Sequence, residues 1–212
     1  LICDRYKAYQ ALGTLLAYCW AHVRRDFLKI KVQYAGEENL LKWCDQWLNW
    51  IGELYGLNRL RLEHRHAPEV FQGYQNQLQE VLDRMRTSIE TAYPAKAQRD
   101  QMKSMENHWE GLTRFLEDPD IPLDNNRAER ELRTPVVGRK NFYGTHSDRS
   151  TEATAIFYSL ISTCKRHGVN SRKFLKRYLT ACIQNRSAPV QDSVLESFLP
   201  HRYAKLYPED LG

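Results

Sequence analysis

Apolar residues recur at helical spacing over residues 37–118, and this periodicity constrains the fold more than any other feature. Positions i, i+3, i+4 and i+7 share one face of an α-helix, so each stripe predicts a helix with one buried side. Pro68 and Pro94 interrupt the pattern. We therefore predict long amphipathic helices packed as an antiparallel bundle. The three stripes are Leu40, Cys44, Trp47, Leu48, Ile51, Leu54 and Tyr55; Phe71, Tyr74, Leu78, Val81, Leu82, Met85 and Ile89; and Met102, Met105, Trp109, Leu112 and Leu116.

Two short apolar runs near the N-terminus predict strands. Residues 1–3 end at Asp4 and precede a helix-like segment at 6–9, and residues 15–20 precede a second helix from Ala21. Parallel α/β sheets repeat this order of strand, functional residue and helix. The chain starts without Met, inside the first predicted strand, so we expect it to be part of a longer protein.

Turn-forming residues at 118–122 separate the bundle from a region with two further apolar stripes. Ser147 or Asp148 is the expected cap of the first helix there, and Asn170 or Ser171 that of the second. The tail from Ser187 is weakly patterned, and we expect residues 198–200 to dock on the core. The two stripes are Ala153, Ile156, Phe157, Leu160, Ile161 and Cys164, and Phe174, Leu175, Tyr178, Leu179, Cys182 and Ile183.

The net charge of +5 conceals a strongly basic segment. Residues 124–186 carry 13 basic and 5 acidic side chains, whereas residues 1–123 carry 16 basic and 17 acidic ones. Such a segment indicates a polyanionic partner, although a solvated arginine-rich helix face would have the same composition. No apolar run approaches the ~18 residues of a membrane span. Five scattered cysteines fit a reducing compartment better than a disulfide framework.

The basic segment opens with an Asp followed by Asn125 and Asn126, a pattern typical of a helix start. With Asn126 as the cap, Glu129 is the third helical residue and Arg133 lies one turn later. Residues 138–144 then place two cations and two aromatics between glycines, which predicts a basic loop.

A basic loop of this composition suits phosphates and unstacked bases. Phe142 and Tyr143 are its candidates for base stacking, and a position in the core is the alternative for both.

Asp4 and Glu129 are the two carboxylates whose surroundings suggest chemistry. Asp4 follows a predicted buried strand, and Glu129 opens a helix inside the basic segment. A carboxylate pair can hold Mg²⁺, and two such ions about 3.5–4 Å apart would activate water in phosphodiester chemistry. The spacing equally allows Asp4 to cap a turn, and Glu129 to form a capping box with Asn126 or to pair with Arg133.

Cys19 and His22 form a C-x-x-H pair. A zinc site needs about four ligands, and no second pair follows at suitable spacing; His64 and His66 are far away in sequence. A buried Cys19 and a hydrogen-bonded His22 near the site are the stronger expectation.

Five segments, taken together and in order, resemble the insertion-sequence 66 family of bacterial transposases. The resemblance covers most of the chain, and residues 198–200 are similar to the family's closing motif. The segments are Cys-Asp-Arg-Tyr-Lys-Ala-Tyr at 3–9, Cys-Trp-Ala-His-Val-Arg-Arg-Asp-Phe at 19–27, Asp-Asn-Asn-Arg-Ala-Glu-Arg at 124–130, Gly-Arg-Lys-Asn at 138–141 and Glu-Ala-Thr-Ala-Ile-Phe-Tyr-Ser-Leu-Ile at 152–161.

The resemblance implies an Asp-Asp-Glu transposase with two Mg²⁺ or Mn²⁺ ions. At the matching positions, Asp4 is the second catalytic Asp and Glu129 the catalytic Glu, and both hold metal. The implied activity is cleavage at transposon 3′ ends and strand transfer into target DNA, in a homo-oligomeric complex in the bacterial cytoplasm, away from membranes. Cys19, His22 and Asn126 would support the site, and DNA would be bound by Arg127, Arg130, Arg133, Arg139 and Lys140.

The expected fold is mainly α, with a partial RNase H-like α/β core, few strands and a large all-helical insertion. The predicted domains are a partial catalytic core at 1–36, the insertion bundle at 37–118, the rest of the core at 119–186 and a tail at 187–212.

The family's first catalytic Asp and its upstream DNA-binding region have no match in these residues. We therefore expect the 212-residue polypeptide alone not to cleave or join DNA. The alternatives are a non-catalytic DNA-binding or oligomerisation fragment and a purely structural helical domain with a basic face.

Overall fold

The computed structural model describes residues 1–12, 15–142, 144–184 and 192–212. Most of these residues are helical and the strands among them are short, which confirms the predicted mainly α fold. They divide into two compact units, Leu1–Glu129 and Arg130–Gly212. The four-domain organisation divides the chain more finely and stays a prediction. In the described part, no helix is both long enough and apolar enough to cross a bilayer.

The first unit opens with two parallel strands, β1 (Ile2–Cys3) and β2 (Ala17–Tyr18). A short 3-10 helix, Lys7–Leu12, follows β1 where the sequence predicts a helix start. Helix α1 (Trp20–Gln33) follows β2 after a single residue. The two predicted apolar runs therefore both contain strands, each followed by helical backbone.

The predicted bundle consists of helices α2 (Glu38–Glu63), α3 (Pro68–Ile89) and α4 (Lys96–Thr113). Pro68 is the first residue of α3, where its missing N–H removes no helical bond. Four residues join α2 to α3, so these two packed helices are antiparallel neighbours. A short 3-10 helix, Arg114–Leu116, extends α4.

The bundle stripes and α1 bury one shared core. Phe27 of α1 stacks on Trp47 of α2 with ring centroids 5.1 Å apart, and Trp43 lies 5.2 Å from the same Phe27 ring. Large aromatic side chains bury much apolar area, so this cluster contributes strongly to the stability of the unit. Other buried members are Trp20, Val23, Leu40, Cys44, Ile51, Leu54, Leu78, Val81, Leu82, Met85, Ile89, Met102, Met105, Leu112 and Phe115.

Helix α4 approaches β2 very closely at Gly111. A Cβ atom at this position would lie 2.5 Å from Cδ2 of Tyr18 and 2.9 Å from the carbonyl oxygen of Leu16. Both distances are shorter than real Cβ contacts, and one of the atoms belongs to the backbone. The absence of a side chain at Gly111 therefore allows the bundle to pack against the strands.

Helix α5 (Asn126–Phe142) crosses the boundary between the units. In the second unit, α6 (Asp148–Arg166) begins with a capping box of Ser147 and Ser150 and is followed by Gly168 with a φ of +67°. The side chain of Asn170 accepts two backbone N–H bonds at the start of α7 (Ser171–Gln184). Ser147 and Asn170 are among the predicted caps.

The start of α5 differs from the prediction by one residue. Asn126 is the first helical residue, so Asn125 precedes the helix and Glu129 is its fourth residue. The backbone N–H of Asn126 is bonded at 3.0 Å to Oδ1 of Asp124, which takes the acceptor role that the sequence interpretation gave to Asn126.

The predicted basic loop at 138–144 is wrong, because α5 continues through Phe142. Pro135 lies inside the helix and forfeits one backbone bond. The residues after Pro135 include Arg139 and Lys140, which favour helix and suit its negative C-terminal end. Gly144 then adopts a φ of +88°, the left-handed conformation that glycine tolerates.

The C-terminal tail contains two further helices, α8 (Asp192–Ser197) and α9 (Pro200–Leu206), where the sequence showed little pattern. Phe198 between them is buried, 5.2 Å from the Tyr178 ring and 6.0 Å from the Phe174 ring, as expected for docking. Several predicted apolar positions are exposed instead, because the stripes are wider than the packed face. These positions are Ile156, Phe157, Leu179 and Ile183.

The last residues fold back onto α7 through Asp210. Its carboxylate accepts hydrogen bonds from Tyr203 Oη and from Arg177 Nε, the latter at 3.1 Å, and its backbone oxygen accepts from the Asn170 N–H. The Tyr203 hydrogen bond, with Arg177, holds the pKa of Asp210 below its usual value. Burial and the same hydrogen bond raise the pKa of Tyr203 to about 12.

We expect Gly111→Ala to lower the free energy of unfolding by about 1–3 kcal/mol, as overpacking does. The matched control is Gly52→Ala in α2, where nothing lies within 4 Å of the added methyl group. That change should stabilise the chain by up to about 1 kcal/mol through helix propensity. Urea unfolding followed by circular dichroism measures both, and equal effects would contradict the close approach of α4 to β2.

We expect Asp210→Asn to destabilise the second unit at pH 7 and to matter less at pH 3. A carboxyl group with a lowered folded pKa stabilises the fold above its unfolded value of about 3.9, and loses that contribution as pH falls through the folded value. Urea midpoints at both pH values test this. Glu196→Gln, in an exposed pair with Arg202, is the control and should change little at either pH.

Candidate active site

The carboxyl ends of the two strands lie side by side. Cys19 follows β2 and donates its backbone N–H to the carbonyl oxygen of Cys3 at 3.0 Å. Asp4 comes directly after Cys3, and α1 begins directly after Cys19. Asp4 and the N-terminus of α1 therefore share one end of the parallel pair, the end where α/β proteins assemble their sites.

Asp4 lies in a turn, and the residue after it, Arg5, is bonded to two helices. Its Oδ1 accepts a hydrogen bond from the backbone N–H of Tyr6 at 3.1 Å. Arg5 forms an ion pair with Asp26 of α1 and donates to Oγ of Ser104 in α4 at 3.0 Å. These bonds fix the backbone at Asp4 against two helices, while the Asp4 side chain itself is half-buried. Asp4 therefore caps a turn through Oδ1. This bond is compatible with a role as a metal ligand, because the carboxylate has a second oxygen, Oδ2.

The segment before α5 is bonded to the start of α1. The backbone N–H of Trp20 donates to the carbonyl oxygen of Leu123 at 2.8 Å, and its indole N–H donates to Leu112 at 2.8 Å. Trp20 and Leu123 are both buried. After the bundle, the chain therefore comes back to the first residue of α1, and Asp124 follows directly.

Glu129 contacts the first turns of α1. Its Oε1 lies 3.3 Å from Nε2 of His22, and its Oε2 lies 3.3 Å from Nη2 of Arg25. His22 and Arg25 are three residues apart, so they project from the same face of α1. Asp4 and Glu129, far apart in sequence, are therefore both attached to the end of the sheet where α1 begins.

The surroundings of Glu129 are cationic. Glu129 and Arg25 are partly exposed, whereas Nδ1 of His22 is buried and has no hydrogen-bond partner. Cys19 is a buried free thiol one turn before His22. Within the described residues, no group of three or more His, Cys, Asp and Glu side chains is arranged to hold a metal ion.

The donor atoms fit Mg²⁺ in kind. Asp4 and Glu129 offer carboxylate oxygens, the ligands this ion prefers, and Mg²⁺ usually keeps several waters beside one or two carboxylates. Cys19 and His22 offer sulfur and nitrogen, which suit zinc better.

The predicted DNA-binding cations lie along α5, with Arg127 in the first unit and the others in the second. All five side chains are exposed. Helical periodicity puts Arg130, Arg133 and Lys140 within about 80° of one another around the helix axis, and Arg139 outside this face. The side chain of Phe142 and the whole of Tyr143 lie outside the described residues. The five cations are Arg127, Arg130, Arg133, Arg139 and Lys140.

Sequence reasoning missed one contact next to the site. Tyr55 of α2 donates its phenol O–H to Oδ2 of Asp124 at 2.9 Å. Tyr55 was predicted as a core residue because it extends an apolar stripe. The one available signal was that the apolar stripe ends in a tyrosine, whose hydroxyl usually finds a hydrogen-bond partner when the ring is buried.

Comparison with known proteins gives a consistent family result. The family model described as "Transposase IS66 family" matches residues 1–153. Relatives include two uncharacterized proteins of Sinorhizobium fredii (strain NBRC 101917 / NGR234). The one named y4qI is 28% identical over 99% of this chain and 39% of its own length, and the one named y4jD is 27% identical over 93% and 40%.

The chain spans about two fifths of the length of these relatives. No solved structure matches it. The family model covers more than half of the chain, including both strands, the bundle, the start of α5 and both carboxylates. The chain therefore belongs to the IS66 family of transposases.

Proposed function

We propose that these residues form part of the catalytic core of an Asp-Asp-Glu DNA transposase, in which Asp4 and Glu129 hold divalent metal. The observation that carries the proposal is the contact of Glu129 with His22 and Arg25 at the start of α1. In that contact, a carboxylate from beyond the bundle lies beside the helix that begins at the strand end carrying Asp4. An RNase H-like arrangement of the intact core is part of the same proposal.

In this proposal Mg²⁺ or Mn²⁺, when bound, supplies the activation of water and the stabilisation of the leaving oxygen. The residues of this chain supply position and charge. Asp4 offers its carboxylate from the turn after β1, and Glu129 offers its own from the first turns of α5. His22 and Arg25 contact Glu129, and Cys19, whose backbone N–H is bonded to Cys3, supports the turn that leads into α1.

The exposed cations of α5 bind DNA phosphates in this proposal. Charge neutralisation by Lys and Arg supplies most of the sequence-independent affinity for DNA. Arg130, Arg133 and Lys140 share a helix face, so they can follow one backbone. Transposon ends and target DNA are the proposed partners, within a homo-oligomer. The Asp-Asp-Glu set has three carboxylates and two are assigned here, so we propose that the 212 residues alone do not cleave DNA.

A non-catalytic DNA-binding or oligomerisation role is the second candidate. The observation that favours it is that all five α5 cations are exposed. Exposed cations can bind DNA phosphates without a metal site. The two candidates differ in what they require of Glu129.

We expect Glu129→Gln to abolish transposition by an IS66-family transposase that contains these residues. Loss of a metal ligand removes several kcal/mol of transition-state stabilisation, which corresponds to at least about a hundredfold in rate. Affinity for transposon-end DNA should be unchanged or higher, because a negative charge is lost. Strand-transfer and gel-shift assays measure the two effects.

The control for this experiment is Glu131→Gln, two residues further along α5. Glu131 is paired with Arg166 rather than with His22 and Arg25, so this variant should retain activity. Retained transposition in Glu129→Gln would favour the non-catalytic candidate.

We expect Arg133→Ala and Lys140→Ala each to weaken DNA binding and to lower the slope of log Kd against log salt by about 1. Fluorescence anisotropy with duplex DNA at several salt concentrations measures this slope. Arg84→Ala removes an exposed bundle cation paired with Glu53 and should leave the slope unchanged. Equal slopes for all three variants would place DNA binding elsewhere.

A further inference from the structure

We propose that Tyr55, a residue of the helical bundle, is a positioning residue for Glu129 and acts through the carboxylate of Asp124. The proposal rests on the function proposed above for Glu129. It gives the bundle a part in the active site rather than a purely structural place in the chain.

Asp124 uses both of its carboxylate oxygens to join the bundle to α5. Oδ2 accepts the phenol O–H of Tyr55 at 2.9 Å, and Oδ1 accepts the backbone N–H of Asn126 at 3.0 Å. The N–H of Asn126 lies at the helix start, where the first N–H groups are bonded to acceptors outside the helix. Tyr55 therefore fixes the orientation of the group that begins α5.

Glu129 lies on the helical turn that this group begins. Its backbone N–H donates to the carbonyl oxygen of Asn125 at 3.0 Å. Asn125 lies between Asp124 and Asn126, so rotation of the Asp124 carboxylate would disturb the peptide units that define this turn. A small change of angle there moves the Glu129 carboxylate relative to Asp4.

The donor in this path is held rigidly. The Tyr55 side chain is itself partly buried and packs against the bundle core. Burial raises the pKa of the Tyr55 phenol above its ordinary value, and the Asp124 charge raises it further. The phenol therefore stays a hydrogen-bond donor at neutral and mildly alkaline pH.

The segment between the bundle and Asp124 is also anchored at its other end. Arg61 of α2 is fully buried and donates to the carbonyl oxygen of Phe115 at 2.9 Å. Gln75 of α3 donates to the carbonyl oxygen of Leu116 at 3.0 Å. Bundle side chains therefore hold both ends of this segment. Loss of the Tyr55 hydrogen bond would change the backbone at the start of α5 and leave the path of the rest of the segment unchanged.

The test compares Tyr55→Phe with Tyr74→Phe, since each removes one hydroxyl from a half-buried bundle tyrosine. Hydrogen exchange of the chain in the absence of metal is the first readout. In Tyr55→Phe, exchange of the Glu129 amide should accelerate on the order of tenfold, as expected for loss of a hydrogen bond to a charged acceptor. Amides in the middle of α2 should be unchanged, and Tyr74→Phe should affect neither region.

The second readout is kinetic and uses an IS66-family transposase that contains these residues. Tyr55→Phe should lower kcat for end cleavage about tenfold, because it changes the position of the Glu129 carboxylate. KM for DNA should be unchanged, because the contacts with DNA phosphates are not altered. Unchanged exchange at Glu129, or faster exchange with an unchanged kcat, would overturn the proposal.

Failure of the function proposed for Glu129 gives a different result. In that case Glu129→Gln retains cleavage, while faster exchange in Tyr55→Phe would still be observed. The outcome of Glu129→Gln therefore distinguishes failure of the function proposed for Glu129 from failure of the positioning role of Tyr55.

Discussion

Trp20 makes the contacts on which the rest of the first unit depends. Its backbone N–H, which has no acceptor within α1, donates to the carbonyl oxygen of Leu123. Its indole N–H donates to the carbonyl oxygen of Leu112, 92 residues away in sequence. The indole ring is completely buried in the shared core. One residue thus supplies apolar burial and two long-range hydrogen bonds at the point where β2 becomes α1. Because of these bonds, the chain returns to the strand end after traversing the bundle.

This closure explains how the long helical bundle can separate the two residues of the proposed site. The entropic cost of closing a loop grows only with the logarithm of its length, so a long excursion is tolerated when its ends are firmly joined. Here the excursion buries its apolar stripes in the core that it shares with α1, which offsets the cost of ordering it. The absence of a side chain at Gly111 allows α4 to pack closely on β2, so the bundle lies directly against the strands. The bundle therefore acts as a spacer that fixes where α5 can begin.

The sequence predicted what depends on local pattern. The strand before Asp4, the bundle stripes, and the caps at Ser147 and Asn170 all follow from periodicity or capping chemistry within a few residues. The helix through Phe142 was missed because glycines and aromatics suggested a loop, and the tail helices because they are short and stabilised by docking. The bond from Tyr55 to Asp124 joins residues 69 apart, and no local pattern encodes it.

The ion pairs of Glu129 are too weak to fix its position by themselves. The Glu129 and Arg25 side chains are 38% and 47% exposed, and ion pairs of such exposure contribute about 0–1 kcal/mol. His22 adds a positive charge to this contact only when it is protonated. A carboxylate held this loosely can exchange its cationic partners for another cation without a large penalty. Its location must then come from the backbone of α5, and hence from the hydrogen bonds that Asp124 makes at the start of that helix.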